Sequence, residues 1–375
     1  MKVLFLTEWY PDKYDAMTGL FVRKHAEAVA RAGADVCVLY LRSDKGCGTI
    51  CDTQTTNGVT DIRVYYNCGY LSALGHGWRV VKKIWGRPQV CQLNIITKNA
   101  VLPLWLNLVH GIPYVVAEHW SGYLPENNSY GGLLHKRLAE LTVSRAGAVL
   151  PVSMALEKAM QAKGLRNNRY ERLYNVVDDF FFLSSDSGLE SQDKTAPVHR
   201  LLHVSCFDER AKNVKGLLRA MRHVADRRHD WQLVLVGTGA DYNEVKNFAE
   251  TLAFPEGMLV WRGELTPQEV ASEMAKAEMF LLFSNYENAP VVISESLAAG
   301  VPVIATRTGG IPEMVDEDCG VLVNTGDEDA FAAAVEYVLD GKKTFDRQKL
   351  TSKARRCSSE AVGSALLRIY TSLIQ

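Results

Sequence analysis

The segment from residue 283 to residue 323 constrains the fold more than any other part of the chain. An apolar stretch ending at Phe283 leads into the polar loop Ser-Asn-Tyr-Glu-Asn and then into Pro290. Proline fits the first turn of a helix because its missing N–H needs no partner there. Gly300 and Pro302 predict the end of that helix, and a short strand follows at once. This order indicates a parallel α/β sheet, in which ligands bind outside the carboxyl ends of the strands.

Two glutamates flank the start of the predicted helix. Glu287 lies in the loop before it, and Glu295 lies one to two turns inside it. The free N–H groups and the positive dipole end of a helix start favour a phosphate. A carboxylate nearby can accept both hydroxyls of a ribose or sugar. The alternative is that both glutamates are ordinary solvated charges at the start of a helix.

The same segment resembles the C-terminal signature of retaining, nucleotide-sugar-dependent glycosyltransferases of family 4, which have the GT-B fold. The residues that match in order and spacing are Glu287, Glu295, Ala298, Gly300, Pro302, Val303, Gly309, Gly310 and Glu313. The resemblance extends over nearly the whole chain. It implies an α/β protein of two doubly wound, Rossmann-like domains that face each other across a cleft, with a C-terminal helix that crosses back to the N-terminal domain.

The length of 375 residues also favours two domains over one. A stretch rich in Ser and Asp at 184–195 predicts the linker between them. We therefore expect an acceptor-binding domain at 1–183, a donor-binding domain at 184–350 and the returning helix at 351–375. The net charge of −1 gives no reason to expect nucleic acid as a partner.

Neither the cysteines nor the hydropathy indicates a metal centre or a membrane span. The eight cysteines include no C-x-x-C pair, and reduced thiols in a cytosolic enzyme are their simplest interpretation. The chain starts directly with a strand, without the pattern of a signal peptide, and lacks an apolar run of membrane-spanning length. Neither half shows an Asp-x-Asp of the metal-using kind between a strand and its loop. We expect a cytoplasmic protein without a cofactor or an obligatory metal.

The N-terminal half contributes two candidate site residues. Gly19 stands where a loop enters the first helix, an arrangement that lets a phosphate approach backbone N–H groups. His119 follows a buried strand, and the resemblance implies that it contacts the transferred sugar from the N-terminal domain. The alternative for His119 is a structural hydrogen-bonding role. Residues 43–60 are polar and predict an exposed loop.

The segment 75–87 predicts a basic, aromatic helix. Trp78, Val81 and Trp85 fall on one helical face, and Arg79, Lys82, Lys83 and Arg87 surround it. Such a helix could lie peripherally on the inner face of the cytoplasmic membrane and bring a lipid-linked acceptor to the site. The alternative is that both tryptophans pack on the sheet of the N-terminal domain.

The loop after the first strand of the second domain departs from the family pattern. In most relatives this loop offers an arginine and, five or six residues later, a lysine, and both clamp the diphosphate of the donor. Lys212 occupies the lysine position, but Phe207 stands at the arginine position and cannot supply bidentate recognition of phosphate. Either Arg210 replaces the arginine, or Lys212 binds the diphosphate alone.

The resemblance implies further donor contacts: Gly237 in a Gly-Thr-Gly turn, the backbone around Arg262 for the base, the helix start at Asn288, Ala289, Pro290 and Val291 for the leaving diphosphate, and Glu295 for the ribose. Asn288 or Ala289 would cap that helix. Glu287 would bind the sugar hydroxyls or steady charge at the anomeric carbon, so Glu287, His119 and Lys212 are the catalytic candidates.

The predicted function is retaining transfer of a sugar from a UDP- or GDP-linked donor to a saccharide or lipid-linked acceptor, in bacterial surface polysaccharide or lipopolysaccharide synthesis. Two alternatives stay open. One is a hydrolase or epimerase of nucleotide sugars on the same fold. The other is a catalytically silent, sugar-nucleotide-binding partner of a transferase complex, which Phe207 favours.

Overall fold

A computed structural model of the chain describes residues 1–46, 48–186 and 198–374. These residues divide into two compact units, Met1–Val176 with the residues from Cys357 onward, and Val177–Arg356. Most of the predicted linker at 184–195 lies outside the described residues. The boundary between the units falls within the sequence Asn-Val-Val-Asp that starts at Asn175. The acceptor and donor assignments of the domains stay predictions.

The first unit alternates strands with helices. Its strands are Lys2–Thr7 (β1), Asp35–Ser43 (β2), Ile50–Thr56 (β3), Val59–Tyr66 (β4), Val90–Asn94 (β5), Tyr114–Glu118 (β6) and Ala148–Pro151 (β7). Its helices up to residue 162 are Leu20–Arg31 (α1), Tyr70–Ile84 (α2), Val101–His110 (α3), Leu133–Arg145 (α4) and Met154–Ala162 (α5). The strand order is β3-β4-β2-β1-β5-β6-β7, and every neighbouring pair is parallel except β3 and β4.

The predicted exposed loop at 43–60 is wrong for residues 50–56, which form the edge strand β3. This strand pairs with β4 through the two-residue turn Asn57-Gly58, whose φ angles are 53° and 79°. Positive φ at both positions is typical of a type I′ hairpin turn, for which Asn-Gly is the preferred sequence. Most of β3 is exposed, so its polar composition resembles that of a loop. The Asn-Gly dipeptide was the signal that could have identified the hairpin.

The second unit is a parallel sheet with helices between its strands. Its elements are α6 (Asp179–Asp186), β8 (His199–Val204), α7 (Glu209–Lys212), α8 (Val214–Ala225), β9 (Trp231–Val236), α9 (Tyr242–Thr251), β10 (Leu259–Gly263), α10 (Pro267–Lys276), β11 (Met279–Leu282), α11 (Val291–Ala298), β12 (Val303–Thr306), α12 (Ile311–Met314), β13 (Gly320–Val323), α13 (Glu328–Leu339) and α14 (Arg347–Ala354). The strand order is β10-β9-β8-β11-β12-β13. The order reverses between β8 and β11, which creates a crevice at the carboxyl ends of these two strands.

The last helix, Ser359–Ile374 (α15), belongs to the first unit and packs on α1. A Cβ atom on Gly363 would lie 2.3 Å from the carbonyl oxygen of Ala28, so the glycine permits the close approach of the two helices. The Tyr370 hydroxyl donates a hydrogen bond to Gln92 Oε1 on β5. The prediction of two Rossmann-like α/β domains with a C-terminal helix that returns to the first is confirmed.

Candidate active site

The strongest candidate site lies at the switch point of the second sheet. β8 continues into α7, and β11 continues into the loop 283–290. Asn285 joins them, because its backbone N–H donates to the Ala211 carbonyl at 2.8 Å and its Nδ2 donates to the Arg210 carbonyl at 3.1 Å. Asn285 was not among the predicted site residues. Its place directly after a buried strand was the only signal in the sequence.

Lys212 and Glu287 meet at this point. Lys212 Nζ lies 2.5 Å from Glu287 Oε1, and the Ser284 hydroxyl donates to the same oxygen at 2.8 Å. Glu287 is 7% exposed. Burial opposes the charge on Lys212, but attraction to Glu287 and the hydrogen bond outweigh it and raise the lysine pKa. The switch point therefore holds a charged lysine beside a buried glutamate.

The loop after β12 supports the backbone of Glu287. Gly309 has a φ of +50°, and a Cβ atom there would lie 1.6 Å from the Glu287 carbonyl oxygen. Thr308 Oγ1 donates to the Asn285 carbonyl at 3.0 Å, and Thr306 Oγ1 donates to the Ser284 carbonyl at 2.6 Å. The Gly-Gly part of the matched signature thus has a structural role, since only glycine allows this approach.

The helix that carries Glu295 begins one residue later than predicted. Pro290 is the N-cap residue of α11, with φ −65° and ψ 116°, so the helix starts at Val291 and not at Pro290, and neither Asn288 nor Ala289 is the cap residue. The missing proline N–H explains the tolerance of proline at this position too. Glu295 lies in the second turn and is 9% exposed. The helix ends as predicted, at Gly300 with φ +74°.

The position usually held by arginine is part of the hydrophobic core. Phe207 is fully buried, and its ring lies 5.1 Å from that of Tyr242 and 6.0 Å from that of Trp261, measured between centroids. Arg210 has an exposed side chain. Lys212 is therefore the cation that the β8–α7 segment holds against the buried carboxylate. Replacement of the usual arginine by Arg210 stays a prediction.

Gly237 and Arg262 lie at the neighbouring strand ends. A Cβ atom on Gly237, which has φ +120°, would lie 1.9 Å from the Ser205 carbonyl oxygen, so this glycine lets β9 end against the loop after β8. Its N–H donates to the Gly263 carbonyl at 2.7 Å. Arg262 forms an ion pair of 3.4 Å with Glu273, a buried carboxylate of α10. The Arg262 side chain thus has a structural partner, and donor contacts of this region stay predictions.

In the first unit, the backbone conformation and the packing at position 19 require a glycine. It is the N-cap residue of α1 with φ +71°, and a Cβ atom there would lie 2.2 Å from the carbonyl carbon and oxygen of Trp9. This close approach explains the glycine without any ligand. A contact of Gly19 with phosphate stays a prediction.

His119 lies just beyond β6 and stacks on Phe21 of α1, with ring centroids 4.1 Å apart. The ring of His25 is 5.5 Å away. Burial, together with the neighbouring His25, holds the pKa of His119 well below its usual value of 6.5. The imidazole is therefore neutral near pH 7, and it would act as a hydrogen-bonding group and not as a cation. Its catalytic role stays a prediction.

Glu118 organises the turn that carries His119. One carboxylate oxygen accepts the backbone N–H groups of His119 and Trp120, both at 2.9 Å, and the other accepts the Ile96 N–H at 3.1 Å. Burial raises the pKa of Glu118 from 4.5 to about 7, and the backbone hydrogen bonds limit that rise. The sequence indicated Glu118 only as a neighbour of His119.

The raised pKa makes the stability of the first unit depend on pH. The folded state holds the Glu118 proton more tightly than the unfolded state, so the free energy of unfolding falls as pH rises from about 4.5 and levels off above about 7. We expect Glu118→Gln to remove this part of the pH dependence. Urea unfolding of both proteins at pH 5 and pH 8 measures it, with the exposed Glu126→Gln as the control. An equal pH dependence in wild type and Glu118→Gln would contradict the assignment.

The predicted amphipathic face of 75–87 is turned inward. Trp78 and Trp85 are 7% and 8% exposed, and Val81 is fully buried. Gly77 also packs closely, because a Cβ atom there would lie 2.8 Å from Leu39 on β2. The alternative, packing of the tryptophans on the sheet, is thus the observed one. The exposed side chains of α2 include the cations Arg79, Lys82 and Lys83, and also the apolar Leu71 and Ile84, which are 67% and 54% exposed.

Among the described residues, no three side chains of His, Cys, Asp or Glu form a group that could hold a metal ion. The two Asp-x-Asp triplets, 316–318 and 327–329, lie in the second unit. Asp316 pairs with Lys353, and Asp327 accepts the Ala330 N–H as the cap of α13. Of the helices in residues 1–46, 48–186 and 198–374, none combines the length and the apolar character needed to cross a bilayer.

Two family models match the chain, one for each unit. The one described as "Glycosyl transferases group 1" matches residues 198–341, and the one described as "Glycosyl transferase 4-like domain" matches residues 18–175. The first match contains the Lys212–Glu287 pair. The second contains Gly19 and His119.

Curated relatives show modest identity. The N-acetyl-alpha-D-glucosaminyl L-malate synthase of Bacillus anthracis is 25% identical over 249 residues, which are 64% of this chain and 63% of the relative. A second relative, 27% identical over 61% of this chain and 60% of its own length, is the N-acetylgalactosamine-N,N'-diacetylbacillosaminyl-diphospho-undecaprenol 4-alpha-N-acetylgalactosaminyltransferase of Campylobacter jejuni. The chain thus spans less than two thirds of the length of these relatives.

The solved structures give the same fold. Anabaena Alr3699/HepE in complex with UDP superposes with a TM-score of 0.77 at 19% identity, over 99% of this chain and 100% of the other. At this identity the likeness shows the fold alone.

Proposed function

We propose that this chain, which belongs to the glycosyl transferases of group 1, transfers a sugar from a UDP- or GDP-linked donor to a saccharide or lipid-linked acceptor, with retention of configuration at the anomeric carbon. The observation that carries this proposal is the Lys212–Glu287 pair at the switch point of the second sheet. The pair joins two residues that are 75 positions apart in the sequence. The cation suits the diphosphate end of a sugar diphosphate, and the carboxylate suits the hydroxyls of its sugar end.

Lys212 would stabilise the leaving diphosphate. Its ammonium group has three N–H donors, and one of them reaches Glu287 at 2.5 Å. A phosphate oxygen could accept another without displacing Glu287. Charge builds on the diphosphate as the bond to the sugar breaks, and a cation fixed before the reaction lowers that barrier.

Glu287 and α11 would bind the rest of the donor. The carboxylate of Glu287 would accept the sugar hydroxyls, and Glu295 would accept those of the ribose. The amino-terminal end of α11, whose N-cap residue Pro290 makes no side-chain capping hydrogen bond, adds a positive dipole end for the phosphates. None of these steps requires a cofactor or a metal, so we propose a metal-independent reaction.

The comparisons support a lipid-linked or saccharide acceptor. The name of the Campylobacter relative places its sugar acceptor on a diphospho-undecaprenol lipid, and the Anabaena structure holds UDP. We propose for this chain a place in bacterial surface polysaccharide or lipopolysaccharide synthesis, in the cytoplasm and on the inner face of the membrane.

One observation favours a second candidate, a catalytically silent partner that binds sugar nucleotides. Phe207 is buried in the core at the position where most relatives have a phosphate-binding arginine. A silent partner would bind the nucleotide without transferring the sugar. Hydrolysis of the donor, or its epimerisation, has no comparable observation in its favour.

A thermal-shift screen against UDP, GDP, ADP and their sugar conjugates tests the donor site. A ligand present at 100 times its dissociation constant stabilises the native state by about 2.7 kcal/mol. This corresponds to a rise in Tm of about 5–10 °C for a unit of this size. We expect one nucleotide series to produce the shift in wild type and a smaller one in Lys212→Ala. No shift with any nucleotide in the folded protein would contradict the proposal.

A further inference from the structure

The first unit contains a long segment without negative charge. Residues 62–117 include no Asp or Glu, although the chain as a whole has more acidic than basic residues. The same segment has six cations: Arg63, Arg79, Lys82, Lys83, Arg87 and Lys98. Arg63 pairs with Asp61 on β4, whereas the other five have exposed side chains. The segment therefore gives one part of the surface a positive charge that the net charge of −1 conceals.

The helix α3 at the end of this segment has an apolar solvent face. Val101, Trp105, Leu108 and Val109 are 38%, 41%, 58% and 59% exposed. Their spacing of i, i+4, i+7 and i+8 puts them on one side of the helix, which we name the α3 face. The opposite side is apolar as well, because Leu102, Leu104 and Leu106 are buried. Asn107 and His110 are the only polar residues of α3. A helix that is apolar on nearly every side is normally covered, so a partner is expected on the α3 face.

The exposed cations border the α3 face. The crossovers β4–α2–β5 and β5–α3–β6 run in the same direction along the sheet, so right-handed connections place α2 and α3 on one side of it. The rings of Trp78 and Trp105 meet at 6.5 Å, and Lys82 Nζ lies 5.6 Å from the Trp78 ring. Near the start of α3, Lys98 Nζ lies 4.7 Å from the Tyr70 ring of α2.

The next helix on the same side of the sheet, α4, also exposes both apolar and basic side chains. Leu134 and Leu141 are 86% and 44% exposed. Lys136 and Arg137 are exposed too, and Arg137 pairs with Glu140 at 3.3 Å. Apolar side chains flanked by lysine and arginine are the combination that binds at the boundary between headgroups and acyl chains of an anionic bilayer.

We propose that the α3 face, with the flanking cations of α2, docks on an anionic lipid surface. This differs from the prediction for 75–87, in which the tryptophans of that segment enter the membrane, because those tryptophans are buried and the apolar contact comes from α3. The proposal deepens the proposed function, on which it rests for the lipid-linked acceptor. Docking would hold the first unit on the surface where such an acceptor lies.

Vesicle flotation of the full chain tests the proposal. We use phosphatidylcholine vesicles with and without about 30% phosphatidylglycerol, which gives the vesicle surface the negative potential that attracts basic segments. The expected result is binding to the anionic vesicles at least about tenfold stronger than to the neutral ones, and weakened by 0.5 M salt, which shortens the screening length to roughly 4 Å.

Two variants locate the contact. Leu108→Glu with Val109→Glu puts charges on the α3 face, and Lys82→Glu with Lys83→Glu reverses the flanking cations. Each pair is expected to weaken binding about tenfold or more. The matched control is Ile50→Glu with Lys45→Glu, at the opposite edge of the same sheet, where Ile50 is 47% exposed and Lys45 is exposed. This control is expected to bind as wild type does, and all three are expected to keep the wild-type Tm.

Several results would overturn the proposal. Wild type that stays unbound, or variants of the α3 face that bind as strongly as the control, would exclude the lipid contact. A dimer in solution that Leu108→Glu with Val109→Glu converts to a monomer, without vesicle binding by wild type, would make the face a protein interface instead. If wild type does not bind vesicles but its Tm rises with a nucleotide, only the lipid docking is refuted. If wild type binds vesicles but no nucleotide raises its Tm, the proposed transferase function is refuted and the lipid docking stands.

Discussion

Lys212→Ala is expected to lower kcat/KM for sugar transfer by about 10²–10³-fold, the loss found when one preorganised donor to a developing negative charge is removed. The lysine is charged and held 2.5 Å from Glu287 in the free protein. It therefore needs no rearrangement before it meets the diphosphate. Initial rates over a range of donor concentration, with the acceptor fixed, measure the effect.

The control for this prediction is Lys215→Ala. Lys215 lies three residues further on and pairs with the largely exposed Glu244, an interaction of the kind that contributes little to stability. We expect its rate to stay within about twofold of wild type, since its cation is paired with Glu244 and not with Glu287. Removal of Lys212 also leaves Glu287 buried without its cation, which destabilises the fold.

A second variant separates the two effects of removing Lys212. Lys212→Ala with Glu287→Gln removes both charges, and it should recover much of the lost stability without recovering the rate. Full activity in either Lys212 variant would contradict the role given to this residue.

Gly309→Ala is expected to lower the free energy of unfolding of the second unit by about 3 kcal/mol, which combines the strain of positive φ with a forced backbone shift. The added Cβ atom would lie 1.6 Å from the Glu287 carbonyl oxygen, so the loop that carries Glu287 has to move. The corresponding fall in Tm is about 6–12 °C. Transfer activity of the fraction that still folds should fall too, because Glu287 is displaced.

Gly341→Ala isolates the contribution of the collision. Gly341 also has a positive φ, +69°, but nothing lies within 4 Å of the Cβ position. This variant should cost only the conformational strain, about 1 kcal/mol. Equal losses in the free energy of unfolding of Gly309→Ala and Gly341→Ala would show that the overlap with the Glu287 carbonyl contributes nothing to the loss.

The fold was predictable because each of its signals is local. Apolar strands alternate with helices that begin and end at recognisable residues, such as Pro290 and Gly300. The hairpin of β3 was missed because an exposed edge strand has the composition of a loop. The individual residues of the site were predictable, but their arrangement was not. No local pattern in the sequence indicates that Lys212 and Glu287, 75 positions apart, are in contact.

The roles of several residues required coordinates. Gly19 and Gly237 match a donor-binding interpretation, and Gly309 matches the family signature. In each case a Cβ atom would overlap a backbone atom of the chain itself. Phe207 was read as a lost arginine, and the structure shows a core side chain that packs on Tyr242 and Trp261. Helical periodicity predicted which residues of 75–87 share a face, but it could not decide whether that face is turned inward.

The most direct test of the account is calorimetric titration with the nucleoside diphosphate that the screen selects and with the matching monophosphate. If Lys212 binds the outer phosphate of the diphosphate, wild type should prefer the diphosphate by about tenfold or more, as expected for one charge-assisted hydrogen bond of 1.5–3 kcal/mol. Lys212→Ala should lose this preference, and Lys215→Ala should keep it. Equal affinities of wild type for both nucleotides, or an unchanged preference in Lys212→Ala, would contradict the assignment of the site.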